Sequence, residues 1–203
     1  MKNIARIMSA AVVASAALAT AACGSDAAPA PAPAPETGVT VREVIPSGAA
    51  RFTVTSPDIG ADNTFGPDNF AAAFGCTAAN KVPTIRWSGA PAAAKSFAIT
   101  MFDADAPTGS GFWHWMTWDI ASGAAEFKPG DAAVQGTNDA GATGYLGPCP
   151  PAGDRAHTYR ITVLALDTAQ LGTPASTSPA AASFSMSGHI IGAGQLTATA
   201  QRP

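Results

Sequence analysis

The stretch F-A-I-T-M-F-D-A-D from Phe97 to Asp105 alternates with a period of two, as a β-strand does when successive side chains point to opposite faces. Phe97, Ile99, Met101, Asp103 and Asp105 share one face, so an apolar stripe ends in two carboxylates just before Pro107 stops the strand. The same count over Trp113–Ile120 sets His114 with Met116, Trp118 and Ile120, and sets Trp113 and Trp115 on the other side. From His157 onward, His157, Tyr159, Ile161, Val163 and Ala165 point inward, while Thr158, Arg160 and Thr162 mark the outer face. Each of these strands thus carries an ionisable or hydrogen-bonding residue on an apolar face near its end, where burial without a partner is costly. Convergence into one pocket with a polar base satisfies all of them at once.

Outward from these runs the pattern repeats. Short alternating segments at Arg51–Ser56, Thr84–Trp87, Phe97–Phe102, Trp113–Ile120, Thr158–Asp167 and Gln195–Thr199 are separated by Gly, Pro, Asp and Asn clusters. Helical periodicity is scarce; Ala180–Gly188 is expected to form a short helix despite its Ser and Gly content. The sequence therefore predicts an all-β fold of mostly antiparallel sheets packed as a sandwich, with short helical segments. Residues 39–203, about 165 in number, suffice for one domain with a proper core and are too few for two typical ones.

The first 38 residues describe an address and not a fold. Lys2 and Arg6 precede an apolar, Ala-rich stretch from Ile7 to Ala22, of the kind a signal h-region of about 7 to 15 residues needs, whereas a membrane span requires roughly 20. Residues 1–22 read as a lipoprotein-type signal peptide. Ala21 and Ala22 stand directly before Cys23, which is expected to become the acylated N-terminus that anchors the protein to a membrane, facing the periplasm or the cell exterior. Thr20 replaces the usual Leu of that pattern, so ordinary cleavage near Ala22 remains open; either route exports the chain. Residues 23–38, with Pro29, Pro31, Pro33 and Pro35 alternating with alanine, favour extended backbone and form a tether that spans on the order of 30 Å.

Removing Lys2 and Arg6 leaves 9 basic against 14 acidic residues. Nucleic-acid binding needs a basic stripe that such a chain lacks, so it is excluded as a function class. With Cys23 acylated, Cys76 and Cys149 remain and can pair in only one way; two free buried thiols are the alternative, since sequence does not give the distance between their Cα atoms.

Three motifs carry a family resemblance: D-A-D-A-P-T-G-S-G-F-W-H-W from Asp103 to Trp115, G-T-N-D-A-G-A-T-G-Y-L-G-P-C-P-P from Gly136 to Pro151, and H-T-Y from His157 to Tyr159. Cys76–Trp87, with Asn80 and Pro83, and K-S-F at Lys95–Phe97 extend the match over nearly the whole domain. Here the chain resembles the phosphatidylethanolamine-binding protein (PEBP) family, in particular its bacterial Raf-kinase-inhibitor-like branch, also called YbhB/YbcL-like. The resemblance implies packed antiparallel sheets and a small anion pocket. Its lining, carried over position by position, is Asp103, Asp105, Pro107, Phe112, His114, Gly147, Cys149, Pro150, Pro151, His157 and Tyr159. Ala104 replaces a usual Pro, Phe112 a common Trp, and Thr158 a usual Arg that in relatives braces the site.

Such a pocket offers an anion the side chains of His114 and His157, the Tyr159 hydroxyl and N–H groups around Gly147. Asp103 or Asp105 is expected to accept a hydrogen bond from a histidine and favour its imidazolium, or else to cap the turn before Pro107. The Asp and His side chains are also metal-ligand types, but they lack a recognised metal spacing, so no metal and no cofactor is expected. Ser110 sits between glycines outside any nucleophile elbow, so no catalytic residue is assigned. Phe112, Trp113, Trp115 and Trp118 split between two faces and read as packing. The expected function is a non-catalytic binding or regulatory protein for a small anion or lipid head group. The alternative is an inhibitor that uses its surface to bind a protein partner such as a protease.

Overall fold

The computed structural model describes residues 44–202; the signal, Cys23, the tether and the first residues of the domain lie outside them. The strands are β1 (Ala50–Arg51), β2 (Thr53–Thr55), β3 (Ile85–Ser88), β4 (Ser96–Asp103), β5 (Phe112–Ala121), β6 (Glu126–Phe127), β7 (Val134–Gln135), β8 (His157–Leu166) and β9 (Ile190–Ala200). A single α-helix among the described residues, α1 (Pro179–Ser187), precedes β9. The large sheet has the order β1-β9-β8-β4-β5-β7 and the small one β2-β3-β6. All pairings are antiparallel except β1 with β9. The all-β sandwich expected from the alternation is the fold observed, with Arg51–Ser56 divided between β1 and β2 and with two-residue strands at β6 and β7 too short to show a pattern.

The main core lies between the sheets, where Val54, Ile85, Trp87 and Phe127 meet Phe97, Ile99, Met101, Trp115, Tyr159, Ile161 and Val163. A second core lies behind the large sheet, where Ala182 and Met186 of α1 cover Ala98, Met116, Trp118, Leu164 and Leu166. Because both faces of the sheet are covered, every residue of β4 is buried. This corrects the expectation that Thr158, Arg160 and Thr162 mark a solvent face: Thr162 is buried and Leu164 and Leu166 continue that face into the second core.

Strict alternation also fails in β5, for a local reason. Met101 pairs with Trp115 but Phe102 pairs with Trp113, so His114 is an extra residue, a β-bulge. The bulge turns His114 and Trp115 toward the same side. Trp115 enters the main core, Met116 and Trp118 enter the second, and the His114 ring packs edge-on against Tyr159 with centroids 5.2 Å apart. A further register shift between Phe97 and Ile99 lies opposite Asp119, whose φ of 58° is left-handed, and returns Ile120 to the main core. His114 therefore shares a face with Trp115 and not with Met116 and Trp118.

Segments 67–80 and 145–151 are laced together at the end of the sheets. The Asn80 side chain donates to the Tyr145 carbonyl and accepts from the Gly147 N–H, the Tyr145 hydroxyl donates to the Asn69 carbonyl, and the Ala71 N–H donates to the Pro148 carbonyl. A Cβ at Gly147 would collide with the backbone of Asn69, Phe70 and Ala71, so only glycine allows this approach. Cys76 and Cys149, with Cα atoms 6.0 Å apart, close the same junction as a disulfide. Cross-linking residues 73 apart in sequence removes unfolded-state entropy worth about 4 kcal/mol in the chain-entropy account. Replacing both cysteines with serine is expected to lower the unfolding free energy in urea by about that amount; a double variant as stable as the parent would show that the hydrogen bonds alone hold the junction.

Candidate functional site

A cavity of about 270 Å³ opens where β4, β5 and β8 end beside the 147–151 loop. Asp103 comes from the end of β4 with Pro107 just beyond it, Phe112 and His114 from the start of β5, and His157 and Tyr159 from the start of β8. Gly147, Cys149, Pro150 and Pro151 form the loop wall. Asp105 alone among the residues expected there stands off the lining, and Phe74, Ala106 and Thr108 complete it. A smaller cavity of about 70 Å³, against the other face of β4 and β8, is lined by Ile45, Phe102, Leu164 and Arg160 among others and gathers no set of titratable groups.

Asp103 is 2% exposed and fully engaged. One carboxylate oxygen, Oδ1, accepts the Asp105 N–H at 2.8 Å, which caps the turn; the other, Oδ2, accepts Nδ1–H of His157 at 2.8 Å. Both expected roles of this aspartate are thus filled at once. The other His157 nitrogen, Nε2, lies 3.3 Å from Asp154 Oδ2. Burial opposes a charge on His157, but the hydrogen bonds to Asp103 and Asp154 outweigh it and hold its pKa above the ordinary histidine value. His157 is therefore clasped between two carboxylates that favour its imidazolium, with both ring nitrogens engaged.

His114 is the opposite case. Its Nδ1–H donates to the Leu146 carbonyl at 3.0 Å, while the Leu146 N–H donates back to the His114 carbonyl. Its Nε2 stands 3.9 Å from Asp103 Oδ2, too far for a hydrogen bond. Burial lowers its pKa, so at neutral pH the ring is uncharged and Nε2 carries a lone pair. The Tyr159 hydroxyl is buried and makes no hydrogen bond of ordinary geometry, with the Asp103 carboxylate close by; burial, then the Asp103 charge and its hydrogen-bonding pull, push its pKa up, so it remains an O–H donor.

Two further expectations are corrected. The Gly147 N–H is consumed by Asn80 at 2.7 Å and is not offered to the cavity. Asp105 accepts Nη2–H of Arg155 and the Thr158 N–H, both at 2.8 Å; burial opposes its charge, but Arg155 and Thr158 hold its pKa below the usual carboxylate value. Arg155 is thus the guanidinium that Asp105 meets. Its place three residues before Thr158, at the mouth of β8, was the only sequence signal for that role. Phe74 reaches the rim because the disulfide brings its loop to Cys149; its nearness to Cys76 was the available clue. Among the described residues no group of three or more His, Cys, Asp or Glu side chains is placed to hold a metal ion.

The model of the family described as phosphatidylethanolamine-binding protein matches residues 55–201. Similar proteins include UPF0098 protein YbcL of Escherichia coli, 38% identical over 73% of this chain and 87% of its own length, and UPF0098 protein YbhB of the same organism, 35% identical over 59% and 80%. LppC of Mycobacterium tuberculosis, described as a candidate lipoprotein, is 37% identical over 70% of each chain. The crystal structure of E. coli YbcL, described as a new member of the mammalian PEBP family, superposes with a TM-score of 0.71 at 34% identity, covering 76% of this chain and all of that one. The chain belongs to the phosphatidylethanolamine-binding protein family.

Proposed function

We propose that this domain is a non-catalytic binding protein whose cavity takes a small oxyanion, a phosphate or the phosphate of a lipid head group. The observation that carries the reading is the pair at the base of the cavity: the Tyr159 hydroxyl, buried without a hydrogen bond of ordinary geometry, and His114 Nε2, the one imidazole nitrogen of the site that no hydrogen bond uses. A buried orphan hydroxyl calls for a partner. An oxyanion meets that call, with Tyr159 as donor and His114 as a second donor once Nε2 is protonated. Membership in a family of binding proteins supports a binding role. Ser110 is not among the lining residues, and the Thr108 hydroxyl donates to the Gly111 carbonyl, so neither hydroxyl is placed as a nucleophile activated by His114.

The proton arithmetic follows from the two histidines. Burial depresses the His114 pKa; an anion beside Nε2 raises it. Between those two values binding takes up a proton, so affinity climbs as pH falls, by up to about tenfold per pH unit. His157 is already charged below its raised pKa and contributes no such dependence there. Sulfate keeps a fixed charge across the range and isolates this effect. Calorimetric titration of the chain with sulfate is expected to show tighter binding at about pH 5.5 than at about pH 8. Binding should vanish in His114→Ala and weaken roughly ten- to a hundredfold in Tyr159→Phe, which removes a donor to a charged group. Affinity that is flat with pH, or unchanged in both variants, would contradict the assignment.

We further infer that Cys23 is acylated and holds the domain at the outer side of a membrane. The reading rests on the signal-like residues 1–22, and the likeness to LppC supports it. Cys23→Ser is expected to abolish incorporation of labelled palmitate in the bacterial host and to release the protein from the membrane fraction; a labelled variant would place the lipid elsewhere.

A further inference from the structure

The cavity is larger than its polar base requires. Its 270 Å³ is several times the roughly 30 Å³ that a water takes in the liquid, and a bare phosphate leaves most of it empty. From base to rim the wall is a run of rings: Tyr159 meets His114 at 5.2 Å, His114 meets Phe112 at 4.8 Å, and Phe112 meets Phe74 edge-to-face at 6.5 Å. Opposite the rings stand Ala106, Pro107, Pro150 and Pro151.

Phe74 is held at this rim against two ordinary preferences. It is 63% exposed, among the most exposed large apolar side chains of the described residues, and its φ of 55° lies in the left-handed region that bulky side chains rarely adopt. The surrounding structure imposes that conformation: Cys76, two residues on, is bonded to Cys149, and Arg202 Nη1 donates to the Phe74 carbonyl at 3.4 Å. A strained, exposed aromatic fixed beside a cavity points to a contact made by a ligand.

The rim also lacks what a cationic substituent would need. The lining carboxylate, Asp103, is 2% exposed and engaged by the Asp105 N–H and His157, and Asp105 is off the lining and committed to Arg155 and Thr158. The ring faces on offer are phenylalanines, which attract a cation less than tryptophan does.

Resting on the oxyanion reading of the base, we propose that the ligand is a monoester whose oxyanion sits at His114 and Tyr159 and whose uncharged aryl substituent packs on Phe112 and Phe74, in preference to an ester that carries an ammonium group. Phe74 and Phe112 are then the specificity-determining residues of the site. No bond is made or broken; the discrimination is one of contact and desolvation.

The test is a calorimetric comparison of inorganic phosphate, phosphoethanolamine and phenyl phosphate on the full chain and on Phe74→Ala and Phe112→Ala, at one slightly acidic pH. Phenyl phosphate is expected to bind about tenfold more tightly than the other two. Each variant should erase most of that advantage, lowering the affinity for phenyl phosphate by a larger factor than that for inorganic phosphate, and a circular dichroism spectrum matching the parent's certifies that the variant is folded. Phosphoethanolamine binding as tightly as phenyl phosphate, or an advantage that survives in both variants, overturns the proposal and leaves the oxyanion reading standing. Binding of none of the three overturns both.

Discussion

Asp103 puts a carboxylate, 2% exposed, at the end of a strand that is buried along its whole length. A charge so placed is tolerable only with its partners in hand, because desolvation costs several kcal/mol per ion. The neighbouring strand answers with His157, which lies two positions before Tyr159, the residue paired with Asp103 across β4 and β8. The backbone answers with the Asp105 N–H. Once those bonds are made, β4, β8 and the turn before Pro107 are fixed relative to one another, and the walls of the cavity follow from them. Asp154 and Arg155 extend the same logic outward, balancing His157 and Asp105 at the mouth of β8.

The opposite wall is built by different means. The 147–151 loop is proline-rich, so it has few N–H groups to pair and keeps its shape through what it touches. Gly147 lies flat on the 69–71 backbone, Asn80 clamps it from both sides, and the Cys76–Cys149 bond ties its far end to the segment that carries Phe74. His114 connects the two walls: a bulge turns its ring toward Tyr159, and a pair of hydrogen bonds with Leu146 fixes both the ring and the loop. A cavity framed this way has its walls fixed by hydrogen bonds, a disulfide and close backbone contact.

Much of this was legible in the residues alone. Period-two alternation located the long strands and placed Asp103, His157 and Tyr159 on one inner face, because β4 and β8 pair in unbroken register. It misplaced Trp115 and the companions of His114, because a bulge is a backbone event that leaves no mark in the order of residue types. It took Thr162 for an outer residue, because a sheet covered on both faces no longer sorts polar from apolar. Asp105 was expected on the lining and stands off it, and the Gly147 N–H was expected to face the cavity and is taken by Asn80. Whether a carboxylate or an N–H is free depends on what lies across the fold, and neither Arg155 nor Asn80 is adjacent to its partner in sequence.

The two histidines show how one carboxylate serves two different ends. Asp103 Oδ2 stands 2.8 Å from His157 Nδ1 and 3.9 Å from His114 Nε2, and that difference of about one ångström is the difference between a hydrogen bond and a field. At hydrogen-bond distance, with Asp154 on the far side, the carboxylate outweighs the burial of His157 and keeps it charged. At the longer distance it does not outweigh the burial of His114, which stays neutral. Environments that push like groups apart in this way assign them separate tasks. His157, below its raised pKa, offsets the charge of the buried acid. His114, beyond hydrogen-bond reach of Asp103, stays neutral with Nε2 unbonded, so the two rings differ in charge because they differ in their distance to one carboxylate.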